Sequence, residues 1–259
     1  MIDIHCHPLP GVDDGARSLE VAVRMCQIAA ADGITDLVAT PHSNYTYTFD
    51  PQRNRQLVGE LQEKVGERPR LLLGCDLHLS YENIQQCVRD AKDFTINRTC
   101  YMLVELPDQF IPEHLTRVYY DIQVARITPI ITHPERNLLI QRRPELIEQW
   151  VGHGCLVQVT AQSYTGGFGS EARKFAERLV NAGLVHFFAT DAHDVERRPP
   201  ILSRCRHRLV KHKGEDIADL LTRGNAEAVI NGQPLPPQPD WAAISAETGK
   251  RSWFAFWRR

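Results

Sequence analysis

Nine side chains in this sequence have the chemistry of metal ligands: His5, His7, Asp14, His42, Asp76, Glu105, His133, Asp191 and His193. Most of them stand at or just past the end of a short apolar run. Imidazole nitrogen mixed with carboxylate oxygen is the donor set of catalytic divalent metals such as Mn, Zn or Fe, so the chemistry to expect is metal-assisted hydrolysis. His5 and His7 are two apart in an extended run, which turns both imidazoles to one side, where a single ion can accept both. Asp191-Ala192-His193 repeats that spacing near the other end of the chain.

Arg136 and Arg198 extend the pattern. The first follows His133 by three residues and the second follows His193 by five. A guanidinium fork matches two phosphate oxygens at once, so two of them beside a multimetal site favour a phosphate ester over an amide or a lactone. No cysteine opens a C-x5-R sequence, and neither G-x-S-x-G nor the phosphate-cradling G-x-x-x-x-G-K-[ST] occurs. A metal-activated water is then the nucleophile to expect.

Elements must carry these groups to one place. β-rich runs near 2–6, 36–40, 71–75, 101–106, 129–132, 156–160 and 185–190 alternate with helical patterns near 19–31, 52–65, 81–91, 113–125, 144–153, 171–182 and 200–211. The first helix has Ser18 at its N-cap, a stripe of Leu19, Ala22, Val23, Cys26 and Ala30, and Gly33 just past its end. Continuous apolar strands separated by helices predict a parallel sheet covered on both faces. Candidate ligands at the C-terminal ends of six different strands favour a (β/α) barrel, which assembles its site there. A doubly wound open sheet, the alternative, concentrates its site at one crevice.

Composition sets the bounds. A chain of 259 residues, 42% hydrophobic, suits one large core. Its formal charge of −2, with no basic stripe in the barrel segment, argues against nucleic acid. No apolar run reaches the roughly 18 residues of a membrane span, and Met-Ile-Asp-Ile-His does not open a signal peptide, so a cytoplasmic protein is expected. Seven scattered cysteines without C-x-x-C spacing read as reduced thiols. Domain organisation is read as a catalytic domain over 1–232 and a tail over 233–259. The tail opens with a Pro-rich linker, and its residues 250–259 set Trp253, Phe254, Phe256 and Trp257 between two basic pairs. Two readings stand for it: an interfacial anchor or partner peptide, and a segment docked on the barrel.

Taken in order, several motifs resemble the polymerase and histidinol phosphatase (PHP) superfamily. Within it the resemblance is to the bacterial metal-dependent protein tyrosine phosphatases of the CpsB/CapC/YwqE type. The motifs are Met1-Ile2-Asp3-Ile4-His5-Cys6-His7, Gly11-Val12-Asp13-Asp14-Gly15, Ala39-Thr40-Pro41-His42, His133-Pro134-Glu135-Arg136, Gln158-Val159-Thr160-Ala161-Gln162-Ser163-Tyr164-Thr165-Gly166, and Asp191-Ala192-His193 with Arg198-Pro199-Pro200. The similarity spans about residues 1–232. It implies an α/β fold, a PHP-type distorted (β/α)7 TIM-like barrel with a C-terminal tail, holding three divalent ions, Mn first, with Fe, Co or Zn as alternatives. The first ion would take His5, His7, Asp76 and Asp191, the second Asp76, Glu105 and His133, and the third Asp14, His42 and His193. Asp76 departs from the family, which usually has Glu there.

The resemblance further implies that a metal-bridging hydroxide attacks phosphotyrosine while Arg136 and Arg198 clamp the phosphate. Either His42 or a metal-bound water would return a proton to the leaving oxygen. The implied partner is a phosphotyrosine protein, a membrane-bound bacterial tyrosine kinase that controls capsule or exopolysaccharide synthesis, met at the inner face of the membrane. Two other classes stay open: a PHP phosphoesterase for a small monoester such as histidinol phosphate, and a non-catalytic kinase-binding adaptor.

Overall fold

The computed structural model describes residues 1–79, 83, 91–239 and 241. The helical pattern near 81–91 therefore lies almost wholly outside the described residues, as do the aromatic and basic residues 250–259. Among the described residues nine short strands form, each parallel to its neighbours: β1 (Ile2–Cys6), β2 (Asp36–Ala39), β3 (His42–Ser43), β4 (Arg70–Leu73), β5 (Asp76–His78), β6 (Tyr101–Glu105), β7 (Thr128–Thr132), β8 (Leu156–Thr160) and β9 (Phe187–Ala189). One sheet has the order β1-β2-β4 and the other β3-β5-β6-β7-β8-β9.

The two runs expected at 36–40 and 71–75 each come out as two strands. Pro41 has no N–H to give a ladder, so pairing stops at Ala39 and resumes at His42. Gly74 packs so close to β2 that a Cβ there would lie 3.2 Å from Val38 Cγ1, and the strand that ends at Leu73 resumes at Asp76. Each break hands the chain from the first sheet to the second. Counting β2 with β3 and β4 with β5 leaves seven staves.

The circuit is completed beyond β9. Cys6 bridges Ala192, Asp191 N donates to His5 O at 2.8 Å, and His7 N donates to Ala192 O at 2.9 Å. Asp3 adds a side-chain latch, accepting from Thr190 N at 3.0 Å and Thr190 Oγ1 at 2.5 Å. The result is a distorted (β/α)7 barrel whose last seam is a bridge in place of a full ladder.

Outward strand side chains such as Leu37, Met102, Val104, Val157 and Phe188 pack under the helices, against Met25, Leu61, Tyr119, Trp150 and Phe175. Inward ones such as Ile2, Ile4, Val38, Leu103, Ile130 and Phe187 form a second cluster at the base. Strands buried on both faces explain why their sequences read as unbroken apolar runs. The helix Leu19–Ala31 starts at Ser18, whose side chain accepts from Val21 N, but it buries Ala22, Met25, Cys26 and Ala29. Leu19, expected in the stripe, is exposed because the buried face is turned toward Met25 and Ala29.

Residues 215–230, which carry no clear period, fold into the helix Glu215–Asp219, a π-helical turn Leu220–Gly224 and the helix Asn225–Ile230. Ala226, Val229 and Ile230 close the base of the barrel. The chain after them runs along that end. Tyr101 Oη donates to Gln233 O at 2.7 Å, Leu235 packs on the basal cluster, and Gln238 exchanges side-chain hydrogen bonds with Asn225. Trp241 packs on Gly183, where a Cβ would come within 2.2 Å of the indole. No helix among the described residues is long and apolar enough to cross a membrane.

Candidate metal centre

At the C-terminal ends of the strands the inward positions turn polar. β1 ends in His5 and His7, whose Nε2 atoms are 3.2 Å apart. The following loop folds back, with Ala16 N donating to His7 O at 3.1 Å. Gly15 is required there, since a Cβ would lie 2.2 Å from that same carbonyl oxygen. This fold-back sets Asp13 beneath His7, with Oδ2 2.8 Å from Nδ1, and Asp14 above His42 and His193, with Oδ1 3.4 Å from each Nε2.

β5 and β6 add the other carboxylates. Asp76 Oδ2 is 3.1 Å from His42 Nδ1 and 3.6 Å from His5 Nε2. Glu105 lies 3.6 Å from His133 Nε2, 3.6 Å from His78 Nδ1 and 3.8 Å from His42 Nδ1. Asp191 Oδ1 is 3.4 Å from Nε2 of both His5 and His7. His133 and Asp191 hold positive φ, 32° and 50°, a conformation that costs a non-glycine residue about 1–3 kcal/mol and that clusters where function demands it.

All nine expected ligands thus converge on one end of the barrel. Among the described residues, three sets of donor atoms lie mutually within 4.8 Å: His7, Asp14, His42 and His193; His5, His7 and Asp76; and His42, Asp76 and Glu105. The first two overlap the sets expected for the third and first ions. The last differs from the expected second set, because His42 stands between Asp14 and Asp76 and enters in place of His133, which lies 3.6 Å from Glu105 and sets its ring 5.6 Å from that of His5.

The donor chemistry fits cations. His5 Nδ1 is 3.0 Å from Gln158 Oε1 and His7 Nδ1 is 2.8 Å from Asp13 Oδ2, so each ring carries its proton on Nδ1. With both rings neutral, the two Nε2 atoms, 3.2 Å apart, turn lone pairs toward each other, and either an ion or a proton on one of them must lie there. His42 Nδ1 and Asp76 Oδ2 are likewise buried and near each other without making a hydrogen bond. Paired lone pairs held apart in a buried site are what a metal ion satisfies.

Electrostatics point the same way. Burial disfavours the His5 imidazolium, but Asp76 and Asp191 outweigh it and raise the pKa to about 9. His42, equally opposed by burial, is pushed up to about 11 by Asp14, Asp76 and Glu105. Asp76 and Asp191 are buried, which raises a carboxyl, yet His5 and its neighbours hold both well below the usual range. Ionised carboxylates here demand positive charge, and metal ions compete with protons to supply it.

Arg136, in a 3-10 turn after His133, and Arg198, on the loop after β9, stand at the rim. Both guanidiniums donate to Asp191 Oδ2, Arg198 Nη2 at 2.6 Å. Arg198 Nε is buried and makes no hydrogen bond. Three supporting residues were not assigned roles from sequence: Asp13, Gln158 and Phe168. Gln158 stands out in the sequence as an amide between the apolar residues Val157 and Val159, and it is wholly buried.

Comparison with known proteins places this geometry. The family described as "Capsular polysaccharide synthesis, CpsB/CapC" matches residues 1–231. Tyrosine-protein phosphatase YwqE of Bacillus subtilis is 35% identical over 246 residues, 92% of this chain and 96% of that protein. The putative tyrosine-protein phosphatase CapC of Staphylococcus aureus is 32% identical, over 86% of this chain and 89% of its own. A solved structure, from work on YwqE from Bacillus subtilis and CpsB from Streptococcus pneumoniae described as unique metal-dependent tyrosine phosphatases, superposes with a TM-score of 0.85. It is 35% identical, covering 92% of this chain and 99% of its own. A β-aspartyl dipeptidase of Fervidobacterium islandicum shares the fold alone, at 15% identity and a TM-score of 0.55 over 93% of this chain and 76% of that one.

Proposed function

Because the chain belongs to the CpsB/CapC family of capsular polysaccharide synthesis, we propose that it is a metal-dependent tyrosine phosphatase that hydrolyses phosphotyrosine in proteins. The observation that carries this reading is Asp191. One of its oxygens faces the His5 and His7 lone pairs while the other gathers Arg136 and Arg198, so a phosphate clamp adjoins a metal-binding cluster.

We assign three divalent ions to the cluster, Mn first among Mn, Fe, Co and Zn, in keeping with its mixed imidazole and carboxylate donors. His5, His7, Asp76 and Asp191 would hold one, Asp76, Glu105 and His133 the second, and Asp14, His42 and His193 the third. When bound, such ions supply an acidified water and Lewis-acid charge. The chain's own residues do the rest. Asp13 and Gln158 fix the tautomers of His7 and His5. Arg136 and Arg198 orient the phosphate by paired N–H donors and balance its developing charge. A phenol leaves with a pKa of about 10 and needs little protonation.

The substrate we assign is the phosphotyrosine tail of a membrane-bound bacterial tyrosine kinase governing capsule or exopolysaccharide synthesis, which places the enzyme in the cytoplasm at the inner face of the membrane. The tail residues 250–259 provide peripheral contact there. Trp241 packs beside Gly183, at the end of the barrel away from the metal cluster, so an anchored tail leaves the site facing the kinase. A chain ending at Trp241 that kept full membrane recruitment would remove that assignment.

The test of the function is turnover of a phosphotyrosine peptide and of histidinol phosphate by the Mn-loaded protein. A strong preference for the peptide, lost in Arg136→Ala, is expected. Preference for histidinol phosphate, or no turnover of either, overturns the reading.

A further inference from the structure

Arg136 and Arg198 reach the rim from loops 62 positions apart in sequence, yet their guanidiniums share one aromatic ring. Their carbon centres lie 4.5 and 5.5 Å from the centroid of Phe168. Both also donate to the same oxygen of Asp191. Two cations converging on one carboxylate leave a net positive charge and repel each other. The negative face of an aromatic ring offsets that repulsion.

The chain is built to deliver this ring. Phe168 sits in Gly166-Gly167-Phe168-Gly169, where Gly166 and Gly169 hold φ of +100° and +90° and a Cβ on Gly167 would come within 2.4 Å of Gln162 Cγ. Gly167 N donates to Gln162 O at 2.8 Å, and Gln162 Nε2 donates to Arg197 O at 2.8 Å. The loop carrying the ring is therefore tied to the residue before Arg198. Gly166 is the left-handed C-cap of the helix Ala161–Thr165, so the half-buried ring is delivered by the turn that ends that helix.

We propose that Phe168 is a positioning residue that holds Arg136 and Arg198 side by side as a phosphate clamp, and so sets the affinity for the phosphate group of the substrate. This rests on the reading that the two arginines bind phosphate. Phe168 acts through them and touches no reacting atom.

The test is binding of inorganic phosphate to the full-length Mn-loaded protein, by calorimetry, together with phosphotyrosine-peptide kinetics. Phe168→Leu and Phe168→Met keep apolar bulk and remove the π face, so each should weaken phosphate binding about tenfold and raise KM, with the melting temperature unchanged. Phe168→Tyr, which restores the π face, should recover most of the affinity. Leu or Met variants that bind phosphate as tightly as wild type or as Phe168→Tyr overturn the proposal, since a packing role is served by any apolar side chain. Arg136→Ala and Arg198→Ala test the underlying reading separately. If neither weakens phosphate binding, the clamp itself is wrong whatever Phe168 does.

Discussion

The two ends of the barrel interior are built from the same strands and differ by one step of the strand period. On β6, Leu103 packs in the base and Glu105, two residues on, faces the cluster of imidazoles; on β7, Ile130 is followed in the same way by Thr132. The last stave runs from Phe187 in the base to Asp191 at the rim. The base is apolar, closed by the helix Asn225–Ile230, and each large side chain buried there stabilises the fold by about 1.5–3 kcal/mol. The rim buries ionised carboxylates and holds His133 and Asp191 in strained backbone. Stability and chemistry are therefore divided along the barrel axis, and the base carries the cost of the rim.

That division is breakable from either end. Glu105→Ala and His193→Ala should each remove several kcal/mol of charge stabilisation, a loss of at least about a thousandfold in phosphotyrosine turnover, with the melting temperature kept within a few degrees. Wild-type turnover in either would expel that residue from the centre. Phe187→Ala should do the reverse, lowering stability by about 3–5 kcal/mol and the melting temperature by about 10 °C while turnover per folded molecule stays put. A drop in turnover with no change in melting would show that the two ends are not separate.

Finer tests follow at each end. At the rim, Asp13→Asn keeps shape but leaves one acceptor oxygen for the three donors Gly15 N, His42 N and His7 Nδ1 and removes the charge, so metal affinity measured by competition with a chelator should weaken about 10–100-fold. At the base, burial lowers the pKa of His186 from 6.5 to about 4, and its Nδ1 accepts from Val157 N at 3.1 Å. The unfolded chain thus binds a proton that the folded chain refuses between those values. Stability should fall as pH drops from about 6.5 to 4, by on the order of 3 kcal/mol from this group. His186→Gln should flatten that part of the denaturation-against-pH curve, and an unchanged curve would assign the acid loss elsewhere.

Much of this was legible in the chain. Seven apolar runs gave seven staves, because strands buried on both faces leave a continuous signal. Ligand types at run ends placed the rim, because side chains just past a strand face the barrel mouth. The splitting of two staves was less legible, since Gly74 acts through close packing against β2 and the ladder bond that Pro41 cannot make matters only where a neighbouring strand runs past it. Residues 215–230 show no clear period because the π-helical turn Leu220–Gly224 shifts the register between the short helices on either side of it. The partners of the ligands were also hidden. His5 and Gln158 are 153 positions apart, and Arg136, Arg198 and Phe168 meet only through topology.

On the proposed function, phosphotyrosine hydrolysis depends on metal held at the polar end of the barrel. Its most direct test is turnover of a phosphotyrosine peptide by metal-stripped protein as Mn is added back in measured equivalents. No turnover is expected without metal, with a rise that saturates at three equivalents. Full turnover by the stripped protein, or saturation at a single equivalent, would contradict the proposal.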